Sequence, residues 1–139
     1  MSPNITVSDS ELEILEVLWA ADHALNAAEI RTILTEHKNW ERTTILTLIN
    51  RLVKKGAVAQ EKREVYYYTP CIKREAYVRA ETKSFVDKFF KGRTKSLAAA
   101  LVDSDALTKK DIEELRDFFN QNLWLNENGG ISMEHLIII

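Results

Sequence analysis

The segment from Glu41 to Gly56 constrains this chain more than any other. Ile45, Leu48, Ile49, Leu52 and Val53 recur at the i, i+3, i+4, i+7, i+8 spacing of one helical face. Lys54 and Lys55 place cations where the helix dipole is negative, and Gly56 offers the left-handed residue that ends helices. The period then changes. Val58–Lys62 and Val65–Thr69 are short runs, the second rich in β-formers, with charged Lys62-Arg63-Glu64 between them and Pro70 after them. This pattern predicts a helix that stops sharply and feeds a two-stranded hairpin.

Two helices are expected ahead of it. Ser8-Asp9-Ser10-Glu11 has the capping-box form and opens a helix over Asp9–Ala21, with Leu12, Leu15, Leu18 and Trp19 at helical spacing. Asn26-Ala27-Ala28-Glu29 repeats that logic, and Ile30, Ile33 and Leu34 carry a second helix to about His37. Three short helices and a hairpin are the order of a winged helix-turn-helix. In that motif the helix before the hairpin enters the DNA major groove, and the hairpin touches the backbone or the adjacent minor groove.

On a helical wheel, inward Ile45, Leu48, Ile49 and Leu52 turn Thr43, Leu46, Thr47 and Asn50 outward, flanked by Arg42, Arg51 and Lys54. No acid falls on this outer face. Thr and Asn can hydrogen-bond base edges, an aliphatic group can meet the thymine methyl, and cations can neutralise phosphates. From Lys38 to Arg63 seven cations stand against two acids, net +5; from Asp103 to Glu127 seven acids stand against three cations, net −4. One part is therefore suited to a polyanion and the other is not.

The C-terminal half reads as further helices: one over about Lys73–Lys91, stopped by Gly92, a shorter one over Ser96–Val102, and a last one capped at Thr108 and carrying Ile112, Leu115, Phe119 and Leu123. Asn126 to Gly130 breaks the last helix. Phe85, Phe89, Phe90, Leu97, Leu101, Ile112, Leu115 and Phe119 are many apolar residues for helices lying beyond a winged-helix core. They close either a monomeric core or a dimer interface, and two-fold operators favour the dimer. The fold expected is mainly α, a winged helix-turn-helix over residues 1–71 with a helical dimerisation module over 72–126. The apolar tail, 127–139, has no assigned role.

Other classes are disfavoured. Hydrophobic residues make up 45% of the chain, too many for a disordered one. No apolar run spans a membrane, and Met1–Val7 lacks the features of a secretory signal, so a cytoplasmic location with no membrane partner is expected. The single cysteine, Cys71, forbids an intrachain disulfide and is expected as a small core residue. His23, His37 and His135 are too widely spaced for a metal pair. No phosphate-binding loop, H-E-x-x-H or G-x-S-x-G motif suggests an enzyme. No cofactor and no metal are expected.

The third helix also carries a resemblance. Trp40, Thr44-Ile45, Thr47-Leu48, Arg51-Leu52 and Lys54-Lys55-Gly56 resemble the W-x-x-x-T-I-x-T-L-x-x-R-L-x-K-K-G signature of the penicillinase and methicillin-resistance repressors, a family that includes the copper-responsive CopY type. Ser8-x-x-Glu11, Leu18-Trp19, Tyr67-Tyr68 and Ile112-Glu113-Glu114-Leu115-Arg116 also match, so the resemblance runs from about Val7 to Asn120. It implies a homodimer on a pseudo-palindromic double-stranded operator, with DNA contacts at Thr43, Thr44, Leu46, Thr47 and Arg51. The residues themselves add Arg42, Asn50 and Lys54, and Lys62 and Arg63 on the wing.

Four departures modify that expectation. Leu46 stands where the family commonly has Arg or Lys. The hairpin is about two residues shorter than in the penicillinase branch. Ala100-Leu101 replaces the Asn-Phe bond cut during induction, although a sensor protease is retained as a candidate partner. The C-terminal thiolate cluster of the copper branch is absent. A winged helix used for protein contact, and a metal-responsive repressor, remain the alternative readings.

Overall fold

The computed structural model describes residues 5–122, 124–125 and 131–132. The elements run α1 (Asp9–Ala20), β1 (Leu25–Asn26), α2 (Ala27–Leu34), α3 (Arg42–Lys55), β2 (Val58–Lys62), β3 (Tyr66–Pro70), α4 (Arg74–Phe90), α5 (Thr94–Asp103), α6 (Lys109–Asn122), β4 (Trp124–Leu125) and β5 (Ile131–Ser132). They fall into two compact units that divide between Ser84 and Phe85, within α4.

In the first unit the caps form as their sequences dictate. The Glu11 amide donates to the Ser8 hydroxyl at 3.2 Å, and the Ser8 amide donates to the Glu11 carboxylate at 2.7 Å. Asn26 and Glu29 make the same reciprocal pair at 2.8 and 2.9 Å. Each box satisfies amides that a helix start leaves unpaired. α1 then buries Ile14, Leu15, Val17 and Leu18; α2 buries Ile30 and Leu34; α3 buries Ile45, Leu48, Ile49 and Leu52. These side chains meet in one core with Leu25, Ala57, Val58 and Tyr68.

The antiparallel sheet has the order β1-β3-β2. Tyr68 lies opposite both Leu25 and Gln60, so the buried Tyr68 sits on the central strand. β1 was not expected from sequence. Two residues carry no alternation to read, and Leu25–Asn26 become a strand only because β3 is there to pair with.

Helix α2 stops at Leu34 rather than near His37, the following residues forming turns. The second strand starts at Tyr66 and includes Pro70, one residue later at each end than expected. Cys71 corrects the expectation of a core cysteine: it is exposed. Its amide donates to Ala57 O at 2.8 Å just past the sheet, and half-buried Ile72, not Cys71, packs on the core. The start of α4 is held to α1: the Trp19 indole donates to Ile72 O at 2.8 Å, Tyr77 packs 5.9 Å from Trp19, and Arg74 pairs with Glu16 at 2.7 Å.

The second unit holds the end of α4, α5 and α6. The expected Thr108 cap forms, with Asp111 and Thr108 exchanging hydrogen bonds at 3.0 Å. None of the described residues from Phe85 to Gln121 is buried. β4 and β5 pair antiparallel, with Leu125 opposite Ile131. Leu123 of the expected last stripe, the break at 126–130 and the tail after Ser132 lie outside the described residues.

Candidate nucleic-acid interface

Helix α3 carries the site, and its two ends differ. At the C-terminal end Gly56 takes φ +82° and returns its amide to Leu52 O and Val53 O. At the other end Glu41 is the N-cap residue but makes no side-chain cap. The first amides of α3 therefore lack the side-chain acceptor that α1 and α2 have, and open helix amides attract phosphate oxygens.

Between these ends Arg42, Thr43, Thr44, Thr47, Asn50, Arg51 and Lys54 are all exposed, while Leu46 is half-buried. Thr43, Thr44, Thr47 and Arg51 line one shallow depression, floored by Leu48. The Thr47 hydroxyl donates to Thr43 O at 2.8 Å. Its hydrogen is committed to the helix, so Thr47 offers lone pairs and a methyl group outward. Arg42, Arg51 and Lys54 make no ion pair among the described residues. Their charges are available to an external anion.

Lys55 has a different job. Its ammonium bonds the Glu11 carboxylate at 2.5 Å and Thr6 O at 3.0 Å. Glu11 is only 2% exposed. Burial pushes its carboxyl up, but the hydrogen bonds from Lys55 and the Ser8 amide outweigh that and hold it below the ordinary carboxylate value. This pair fastens the end of α3 to the start of α1. Sequence reasoning took Lys55 for a helix-end cation and missed its partner, 44 residues away; the single acid at the third residue of a capping box was the available clue.

The wing places Lys62 and Arg63 at its exposed tip. Lys62 lies 5.5 Å from the Tyr66 ring, its partner across the strands, and Arg63 lies 4.4 Å from the Tyr67 ring. Arg63 also pairs with Glu61 at 3.1 Å, both well exposed, so a phosphate has only a weak pair to displace. The tyrosines hold long cationic side chains in fixed directions, a service the expected β-rich strand did not by itself announce.

The apolar residues expected at a dimer interface divide by exposure. Phe85, Phe89, Leu101, Ile112, Leu115 and Phe119 are exposed, and Phe90 and Leu97 are half-buried. Phe85 contacts Phe89 and Phe90, with ring centres 5.1 and 5.8 Å apart. Among the described residues no group of three His, Cys, Asp or Glu side chains is arranged to hold a metal ion, and no helix is long and apolar enough to cross a membrane. His135 lies outside those residues.

Comparison with known proteins places these features in a family. A family profile described as Penicillinase repressor matches residues 7–121. The penicillinase repressor of Bacillus licheniformis is 32% identical over 117 residues, 84% of this chain and 91% of the relative. The methicillin resistance regulatory protein MecI of Staphylococcus aureus is 31% identical over 116 residues, 83% of this chain and 94% of MecI. A solution structure of the DNA-binding domain of the repressor BlaI is 36% identical, with a TM-score of 0.48, covering 55% of this chain and 94% of that domain.

Proposed function

The chain belongs to the penicillinase repressor family, and we propose that it is a sequence-specific DNA-binding transcriptional repressor that acts as a homodimer on a two-fold operator. The observation that carries this reading is the outer face of α3. Its exposed side chains are Thr43, Thr44, Thr47, Asn50, Arg51 and Lys54, with Arg42 at the open end and no acid among them. Hydroxyl and amide groups suit base edges, and unpaired cations suit phosphates. Lys62 and Arg63 on the wing suit the flanking backbone. A protein-contact surface gains nothing from excluding acids.

The homodimer is supported by the second unit. None of its described residues from Phe85 to Gln121 is buried, and Phe, Leu and Ile surface left in water favours association with a partner. A second copy of Phe85, Phe89, Phe90, Leu97, Leu101, Ile112, Leu115 and Phe119 supplies a matching apolar surface under two-fold symmetry. The DNA-binding part is assigned through about Cys71 and the pairing part beyond it, with α4 up to Ser84 packed in the unit that holds α3 and the remainder of α4 in the other.

Repression is steric in this reading. The bound dimer covers promoter DNA, and a signal that separates the pairing helices or cuts the chain between the units releases it. A sensor protease is one source of that signal. The role involves no catalytic step and is carried out in the cytoplasm, where the operator is. The test is footprinting on DNA upstream of the chain's own gene. The expected result is two protected segments on one face of the duplex, centred about one helical turn or a whole number of turns apart. Protection without preferred position, or none, would contradict the proposal.

A further inference from the structure

We propose that Leu46 is a base-specificity residue that reads the 5-methyl group of a thymine in each half-site; this rests on the DNA-reading role of α3. Leu46 is half-buried, whereas Thr43 three residues before it and Asn50 four residues after it are exposed. On a helix these are its neighbours on one face. Leu46 is thus the apolar member of an otherwise polar, acid-free surface, with enough of its side chain exposed to meet a partner. A phosphate offers an aliphatic side chain nothing. Among major-groove edges the thymine methyl is the one apolar group.

The neighbours sharpen this assignment. The Thr47 hydroxyl has its hydrogen committed to Thr43 O, so Thr47 also meets a base with its methyl or as an acceptor. Asn50, one turn beyond Leu46, has the paired donor and acceptor that match adenine. No cation lies between Leu46 and Asn50 to read guanine there. The preference expected at the step facing these residues is therefore for A·T pairs, set by a methyl contact rather than a charged hydrogen bond.

The full-length chain first selects duplexes from a random pool. Each thymine in the selected duplex is then replaced singly by deoxyuridine, which removes the methyl and nothing else. At one thymine per half-site the replacement should weaken binding about four-fold, the worth of one buried methyl-sized group. In Leu46→Ala that sensitivity should vanish at the same position while the others persist. Leu46→Arg should instead select guanine there. If duplexes are selected but no replacement weakens binding, or if the effect is undiminished in Leu46→Ala, the Leu46 assignment is wrong and the DNA-reading role stands. If no duplex is enriched over the random pool, both fall.

Discussion

At the level of single residues, the DNA-reading role proposed for α3 divides its side chains between position and specificity. Arg51 is exposed and unpaired among the described residues, so its value to DNA is its charge. Arg51→Ala should weaken binding to every duplex alike and lower the salt slope by about 1. Thr47 carries no charge. Thr47→Ala should cost about 1 kcal/mol on the selected duplex and little on random DNA. Binding isotherms on both duplexes check these two variants, and equal loss on both for Thr47→Ala would refute its role. The inward residues of α3 were legible because their spacing is regular. Ile14 was not picked out in α1, where Leu12 fitted the stripe as well, yet Ile14 is fully buried and Leu12 only half so. In α2, Ile33 fitted the spacing but is 43% exposed, because an eight-residue helix turns only one narrow side to the core.

At the level of elements, the fixed ends of α3 matter as much as its face. Gly56 has φ +82° and nothing within 4 Å of where a Cβ would stand. Gly56→Ala therefore meets no clash and pays only for the left-handed backbone, about 1–2 kcal/mol. A urea midpoint at fixed protein concentration measures this. Lys55→Met removes the partner of buried Glu11 and should destabilise by about 1–3 kcal/mol. The pH dependence has a definite sign. The Glu11 carboxyl lies lower in the folded protein than its ordinary 4.5, so its stabilisation is complete above that value and fades as pH falls through the folded one. The stability gap between the natural chain and Glu11→Gln should accordingly narrow in acid, and a gap that widened would contradict the pairing. The caps and the hard stop of α3 were legible because their partners lie within four residues. β1 and the Glu11–Lys55 pair were not, because their partners lie about forty residues away.

At the level of the whole molecule, the first unit has a core, whereas none of the described residues from Phe85 to Gln121 is buried. That contrast makes pairing the expected state of the chain. The apolar residues from Phe85 to Phe119 were legible as a group from their helical spacing. Their exposure was not, since the same stripes also fit a closed monomer. Phe89 is 60% exposed, and Phe89→Glu would put two charges into a symmetric interface. The variant should sediment as a monomer with its first unit still folded, and lose about a hundred-fold or more on a two-half-site duplex. A natural chain that sediments as a monomer at micromolar concentration would overturn the dimer. Whether the acid-free face of α3, with Lys62 and Arg63 of the wing beside it, meets DNA is decided by the salt dependence of full-length binding to the selected duplex and to a random one. Affinity for both should fall steeply as salt rises, with the selected duplex tighter by about 10³-fold or more; a flat salt response, or equal affinity for the two duplexes, would rule this DNA-reading surface out.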